Sequence, residues 1–311
     1  MELPRVSIII PAYNEEKTIS KCLSSIKKLC YPKSKLETIV IDDGSIDNTA
    51  KVVSKFDVNL IKGGHKGVGI ARNLGIKKSK GEIIVFVDAD EVMNKVFLRE
   101  IVDPYKDKSV VGVDCSYKLF NTESKIARLH FLRIFLGMKE PGSPYPRSCR
   151  KKTIKEIGEI RPRFGYYDDW DFKVRISEKG EILRVEDAVL KRIEPKNMKE
   201  TWRQNKWAGK SILKLFKEYK LETLRRLLFP LLCAPVPIHF LFLFGPLFFK
   251  IIGILGLSFF FIIETKRSIG MYKMTKWKEA FLTPLFDIIT MEMYCIGILL
   301  GILDWSSTPK A

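Results

Sequence analysis

The chain has 311 residues, 46% of them hydrophobic and 29% charged, and carries a formal charge of +18. That length sustains a sizeable core in one or two domains, and the charge points to nucleic acid or an anionic membrane surface as partner. Six cysteines (Cys22, Cys30, Cys115, Cys149, Cys233 and Cys295) show no close spacing; this excludes a zinc or redox motif and reads as buried thiols in a reducing compartment.

The start, Met1-Glu2-Leu3-Pro4-Arg5, lacks the charged head and apolar middle of a signal peptide, so the chain is expected to begin in the cytosol. Val6-Ser7-Ile8-Ile9-Ile10 reads as a first buried strand closed by Pro11. Asn14-Glu15-Glu16 opens a helix with Ile19, Leu23, Ile26 and Leu29 at helical spacing and Pro32 beyond its end. Glu37 to Ile41 is a second strand running into Asp42-Asp43-Gly44-Ser45. A helix through Ala50, Val53 and Phe56 follows, then a short strand over Val58 to Ile61 and a helix from Gly67 to Lys78. Ile83 to Val87 is five apolar residues in a row, a strand buried on both faces that ends in Asp88-Ala89-Asp90.

Strands alternating with helices predict an α/β domain with a mainly parallel sheet, in which ligands sit beyond the carboxyl ends of the strands. Three polar clusters fall at such ends: Pro11 to Glu15, Asp42 to Ser45, and Asp88 to Asp90. In extended backbone Asp88 and Asp90 point the same way, a pairing that suits Mg²⁺ or Mn²⁺ held against a phosphate-bearing ligand. Gly64-His65-Lys66-Gly67-Val68-Gly69 lacks the dinucleotide fingerprint, because Arg72 stands where Gly or Ala is needed, and no P-loop is present. His65 reads as a solvated loop residue.

Four stretches together resemble a family 2 glycosyltransferase of the GT-A fold, over roughly residues 4 to 195. They are Val6 to Glu15, Ile41-Asp42-Asp43-Gly44-Ser45, Gly69-Ile70-Ala71-Arg72-Asn73-Leu74-Gly75, and Phe86-Val87-Asp88-Ala89-Asp90. The resemblance implies a nucleotide-sugar site made by Pro11, Tyr13, Glu15, Asp43, Arg72, Asp88 and Ala89. Asp90 would hold the metal that bridges the donor's diphosphate, and Asp88 would contact the ribose or support the metal. Tyr166 to Arg175 resembles the family's Glu-Asp motif, with Asp168 in the Glu position and Asp169 where the catalytic base sits. An inverting transfer needs such a carboxylate opposite the leaving nucleotide. Arg150, Asp168 and Arg175 are expected on the acceptor side, while Arg128, Arg133, Arg147, Arg161 and Arg163 read as phosphate clamps or solvated charges.

Beyond the catalytic domain, expected over 1–195, residues 196–226 read as a basic amphipathic helix in the headgroup layer, punctuated by Trp202 and Trp207. Residues 227–311 read as about three transmembrane helices, near 227–244, 246–263 and 280–303, with Asp287 and Glu292 facing protein rather than lipid. Arg225, Arg226, Lys266, Arg267, Lys273, Lys276 and Lys278 place both flanks of the first two spans in the cytoplasm by the positive-inside rule. No base-reading motif is present, so nucleic acid is not the expected partner.

The expected protein is a multi-pass cell-membrane enzyme with a cytoplasmic catalytic domain. It would use a UDP- or GDP-sugar and a divalent metal to glycosylate a membrane-associated, lipid-linked hydroxyl. A polyprenyl-phosphate acceptor is the enzymatic alternative, and a non-catalytic sugar-nucleotide-binding module the non-enzymatic one. A processive synthase fits less well, because Gln204-Asn205-Lys206-Trp207 falls one residue short of the Gln-x-x-Arg-Trp signature and lacks its Arg.

Overall fold

Val6–Ala12 (β1), Leu36–Asp42 (β2) and Ile83–Phe86 (β4) lie side by side because each is an apolar run that needs cover on both faces. A computed structural model of the chain describes residues 3–133, 146–216, 218–219 and 246–307. The chain divides into two units. The first takes in Met1–Phe120, Gly142–Arg163 and Asp168–Ile193, and the second Asn121–Pro141, Phe164–Tyr167 and Glu194–Ala311. The first unit ends at Ile193, and two earlier stretches of the chain belong with the C-terminal part.

The first unit is built on an eight-stranded sheet, order β3-β2-β1-β4-β7-β6-β8-β5. Its remaining strands are Asn59–Lys62 (β3), Glu91–Met93 (β5), Val110–Leu119 (β6), Ser148–Arg150 (β7) and Glu181–Arg192 (β8). β3, β2, β1 and β4 run parallel, as do β6 and β8. β7 is antiparallel to both β4 and β6, and β5 is antiparallel to β8. Six strands therefore run in one direction and only β7 and β5 run against them, so the sheet is mainly parallel, as expected. The helices are Ile19–Lys27 (α1), Thr49–Val53 (α2), Val68–Lys78 (α3), Phe97–Val102 (α4), Lys151–Ile157 (α6) and Asp168–Ser177 (α7), with Lys125–Phe131 (α5) in the second unit.

α3 rests directly on the sheet. A Cβ at Gly75 would lie 2.4 Å from Ile9 Cγ2, so only glycine allows this approach. Ile76 of α3 joins Ile9, Phe86, Phe172 and Ile176 in one core cluster, which also draws α7 onto the sheet. Cys22, Cys115 and Cys149 are buried as expected, whereas Cys30 is exposed; Cys233 lies outside the described residues.

In the second unit, Met198–Phe216 (α8) packs along Thr283–Ser307 (α10). A Cβ at Gly209 would meet Tyr294 O at 2.2 Å, and one at Gly297 would meet Lys206 O at 2.5 Å. Ile212 and Leu215 of α8 are buried; of the segment expected as a basic amphipathic helix, residues 217 and 220–226 lie outside the described residues. Leu247–Thr275 (α9) ends at Lys276, whose φ of 60° reverses the chain before α10.

α5 is clamped to this helical unit by ion pairs of Arg128 with Glu279 (2.6 Å) and Arg133 with Asp287 (3.0 Å), so neither arginine is a solvated or phosphate-clamping charge. Among the described residues one helical stretch, Lys278–Leu303, is long and apolar enough to cross a membrane by length and composition. The other two expected spans fare differently: 227–244 lies outside the described residues, and 246–263 falls on the first part of α9. Of the three expected spans, the third is thus a candidate by length and composition among the described residues.

Candidate active site

Parallel strands deliver their carboxyl ends to one edge, and the loops there are stitched together by side chains. Asp43 N–H donates to Ala12 O (2.8 Å), Asn14 N–H to Ser45 Oγ (3.0 Å), and Ile46 N–H to Asn14 Oδ1 (2.9 Å). Asn14 sits at φ 57°, which lets the chain turn sharply after Tyr13. Pro11 remains in register with Ile41, so β1 runs one residue past the proline that was expected to close it. Glu15 N–H donates to Thr49 Oγ1 (2.7 Å), and burial raises the Glu15 carboxyl's pKa although Thr18 donates to it.

The Asp43 carboxylate accepts from Lys66 N–H (3.0 Å) and Gly67 N–H (2.8 Å), so the glycine loop that is no dinucleotide motif serves to orient this acid. Gly67 needs its φ of +98° for that N–H to face inward. His65 is exposed, yet its ring lies 4.5 Å from that of Tyr13 in a tilted pair, so it is not simply solvated.

β4 stops at Phe86, and Asp88 and Asp90 sit in a turn closed by Glu91 N–H donating to Asp88 O (3.0 Å). Strand alternation therefore does not set their direction. Arg72 of α3, buried, donates to Asp88 Oδ1 at 2.8 Å, and Arg147 Nη1 lies 3.7 Å from Asp88 Oδ2. Burial opposes ionisation of Asp88, but the Arg72, Arg147 and Arg192 guanidiniums outweigh it and hold the carboxyl well below the usual range. Asp90 behaves oppositely. Burial pushes its carboxyl well above the usual range, with Arg192 pulling down and Asp88, Glu91 and Glu15 adding to the rise. Ala89 between them is buried.

α7 brings in the third cluster. Asp168 is buried with a carboxylate oxygen 2.6 Å from where a Cβ on Gly69 would be, so α3 passes the acid at a glycine. Burial raises Asp168 to about 6 against the pull of Arg72. Burial and the neighbouring Asp168 charge raise Asp169 to about 7. The charge of Asp88 adds to the rise at Glu15, Asp90, Asp168 and Asp169 alike. Asn73 fixes the approach to α7 through a reciprocal pair with Ile160: Nδ2 donates to Ile160 O (2.8 Å), and Ile160 N–H donates to Oδ1 (3.0 Å).

Two expected acceptor-side residues are not brought here. β7 runs antiparallel to β4 with Arg150 opposite Ile83, at the amino end of β4 and away from Asp88. Its guanidinium donates to Val110 O, Tyr105 O and Asp107 O. Arg175 is paired with Asp171 (2.7 Å) and donates to the carbonyls of Ile157, Gly158 and Glu159, so it braces the turn before α7. Arg161 likewise meets Asp171, at 3.3 Å. Conversely, Glu91, Arg147, Arg192 and Tyr117 surround the Asp88–Asp90 turn. Arg147, expected as a phosphate clamp or a solvated charge, is instead buried and donates to Glu91 and Tyr117. The one local sign of Glu91 was its place directly after Asp90.

Among the described residues no three His, Cys, Asp or Glu side chains converge to hold a metal unaided. A divalent cation that takes one or two carboxylates and fills its shell with phosphate and water oxygens fits this site, and Asp90 is the acid whose burial calls for such a countercharge.

Three known proteins are similar to this chain. Over 322 residues the chain is 27% identical to the probable glycosyltransferase YdaM of Bacillus subtilis, covering 93% of this chain and 74% of that protein. The mannosyltransferase PcManGT from Pyrobaculum calidifontis, solved with GDP-Man and Mn²⁺, shares the fold at a TM-score of 0.66 and 18% identity, over 98% of this chain and 88% of its own. S. aureus TarS 1-349, solved with UDP-GlcNAc, does so at 0.50 and 18%, over 96% and 92%. The fold is mixed α/β of the GT-A kind. The model of Glycosyl transferase family 2 matches residues 7–171, more than half the chain, from β1 through the acids that open α7. The chain belongs to that family.

Proposed function

We propose that the protein transfers a sugar from a nucleoside-diphosphate sugar to a hydroxyl of a membrane-associated, lipid-linked acceptor, with inversion at the anomeric carbon. The observation that carries this is Asp169, raised to about 7 beside the Arg72–Asp88 pair. A carboxylate of that basicity suits proton transfer from an alcohol near neutral pH. The acceptor oxygen bonds to the anomeric carbon, the bond from that carbon to the diphosphate breaks, and the acceptor proton passes to Asp169. A phosphate acceptor would arrive ionised and would not need such a base, so the hydroxyl reading is favoured.

Asp43, which accepts from two backbone N–H groups, and the Tyr13 ring would receive the base and ribose. Arg72 would offset charge on the departing diphosphate. Asp90 would hold a Mg²⁺ or Mn²⁺ ion, whose chemistry is to neutralise the same diphosphate as it leaves. The relatives bound to GDP-Man and UDP-GlcNAc support a GDP or UDP donor. The membrane setting rests on the Lys278–Leu303 helix and on the basic residues around α8 and α9. The same basic flanks support catalysis on the cytoplasmic face.

The test is nucleotide release by purified protein in native lipid extract with a panel of UDP- and GDP-sugars. One donor should support release that rises with the extract and vanishes with chelator or Asp90→Ala. Asp169→Asn should bind donor and lose turnover. Wild-type turnover in Asp169→Asn would overturn the base assignment, and binding without release from any donor would favour a non-catalytic module.

A further inference from the structure

The turn that carries Asp88 and Asp90 is fastened from behind by charges that the transfer itself does not use. Glu91 Oε2 accepts from Asp88 N–H (2.9 Å), while Glu91 N–H donates to Asp88 O (3.0 Å), so the two residues close the turn reciprocally. Glu91 Oε1 accepts from Arg147 Nη2 (2.8 Å), and Arg192 Nε lies 3.4 Å from the same oxygen. Arg147 Nε donates to Tyr117 Oη at 2.6 Å, with the guanidinium 5.3 Å from the centre of that ring. Glu91 is 0% and Arg147 1% exposed, so neither meets substrate through solvent.

Sheet register explains why these residues meet. Ser148 pairs with Val85, and Phe86 N–H donates to Arg147 O (2.8 Å), so Arg147 starts level with the last residue of β4. Glu91 is opposite Arg192 in the β5–β8 pair, a cross-strand match of opposite charges.

We infer that Glu91 and Arg147, backed by Arg192, are positioning residues that aim Asp90 at a cation. The inference rests on the proposed reading that Asp90 meets a divalent ion arriving with a nucleoside diphosphate. Two acids separated by one residue repel each other when both are ionised. Arg147 relieves this by lying against Asp88, and Glu91 keeps Arg147 there by binding a second edge of the guanidinium. Glu91 also holds the Asp88 peptide, so the backbone that leads to Asp90 has one direction. Asp88 is then occupied by Arg72 and Arg147, and Asp90 is the acid left to the cation.

The experiment is Mn²⁺ titration by electron paramagnetic resonance on the full-length protein, with saturating UDP and, separately, GDP. Wild type, Glu91→Gln, Arg147→Met and Arg147→Lys are compared, with thermal melting to correct for the folded fraction. The wild type should take up Mn²⁺ when one nucleotide is present. Arg147→Met and Glu91→Gln should weaken that uptake about 10-fold or more per folded molecule, the size seen when groups behind a ligand are removed. Their kcat should fall more than their KM for the donor, and Arg147→Lys should recover part of both. Lower melting temperatures with Mn²⁺ affinity within twofold of wild type would overturn the inference, leaving a purely structural ion pair. Should Arg147→Met fail to fold, Glu91→Gln decides, since its amide oxygen still accepts the Asp88 N–H. If the wild type takes up no Mn²⁺ with either nucleotide, the reading of Asp90 as a cation ligand fails, and the inference with it.

Discussion

Arg72 donates to Asp88 across 2.8 Å, and the neighbour of that arginine, Asn73, holds both backbone groups of Ile160. One turn of α3 therefore positions the acid after β4 and the segment that feeds α7. The same helix passes Asp168 at Gly69 and β1 at Gly75. The run Gly69 to Gly75 matters because its two end glycines let Asp168 and β1 approach one helix closely, while Arg72 and Asn73 between them reach Asp88 and Ile160.

The first prediction concerns pH. A raised carboxylate pKa means that the base is protonated, and idle, on the acid side of it. With Asp169 at about 7 and Asp168 at about 6, kcat/KM should climb through this interval and level off above it. Because the two acids interact, the profile belongs to the pair. Asp169→Asn should remove the limb near 7 and lower kcat by about 10²–10⁴-fold, the usual worth of a general base. A kcat/KM profile for both proteins from pH 5 to 9 checks it.

A methyl group at Gly69 should separate activity from stability. Its Cβ would fall 2.6 Å from Asp168 Oδ2 and 3.4 Å from Pro162. The carboxylate is the movable partner, so it shifts while α3 stays in place. Alanine favours a helix over glycine by about 0.5–1 kcal/mol, so Gly69→Ala should melt no lower than wild type. Displacing the acid by an ångström should still cost on the order of 10–100-fold in kcat/KM. Thermal melts and initial rates on the same preparation test both halves.

The α8–α10 contact makes a third prediction. Gly297 faces Lys206 O and Gly209 Cα, backbone atoms that cannot move aside, whereas a Cβ at Gly270 meets nothing within 4 Å. Gly297→Leu should force the helices apart and destabilise the second unit by about 1–3 kcal/mol or more. Gly270→Leu should not. Limited proteolysis and melting in detergent would distinguish the two.

The three polar strand ends were legible because each is a local pattern, an apolar run followed by acids and small residues. The Asp168-Asp169 cluster, which opens a helix after two tyrosines, was legible only through its resemblance to the family's Glu-Asp motif. What escaped was decided by pairing between distant segments. β7 runs antiparallel to β4, which carries Arg150 to the far end and brings Arg147 in beside Asp88. Glu91 and Arg147 are 56 positions apart, and nothing near either one announces the other. The helical part had one unread signal. Gly297 and Gly301, four residues apart, mark a helix face open to close packing, as Gly209 of α8 shows.

The second unit is gathered from three stretches of chain, and this limits how the protein can be cut. A fragment ending at Ile193 would seem a natural soluble catalytic half. It would keep α5 but lose Glu279, Asp287 and Glu194, the partners of Arg128, Arg133 and His130. It would also bare Leu132, which packs with Met271 and Ala280. Such a fragment should aggregate through α5 unless residues 121–133 are removed or re-surfaced along with the C-terminal helices.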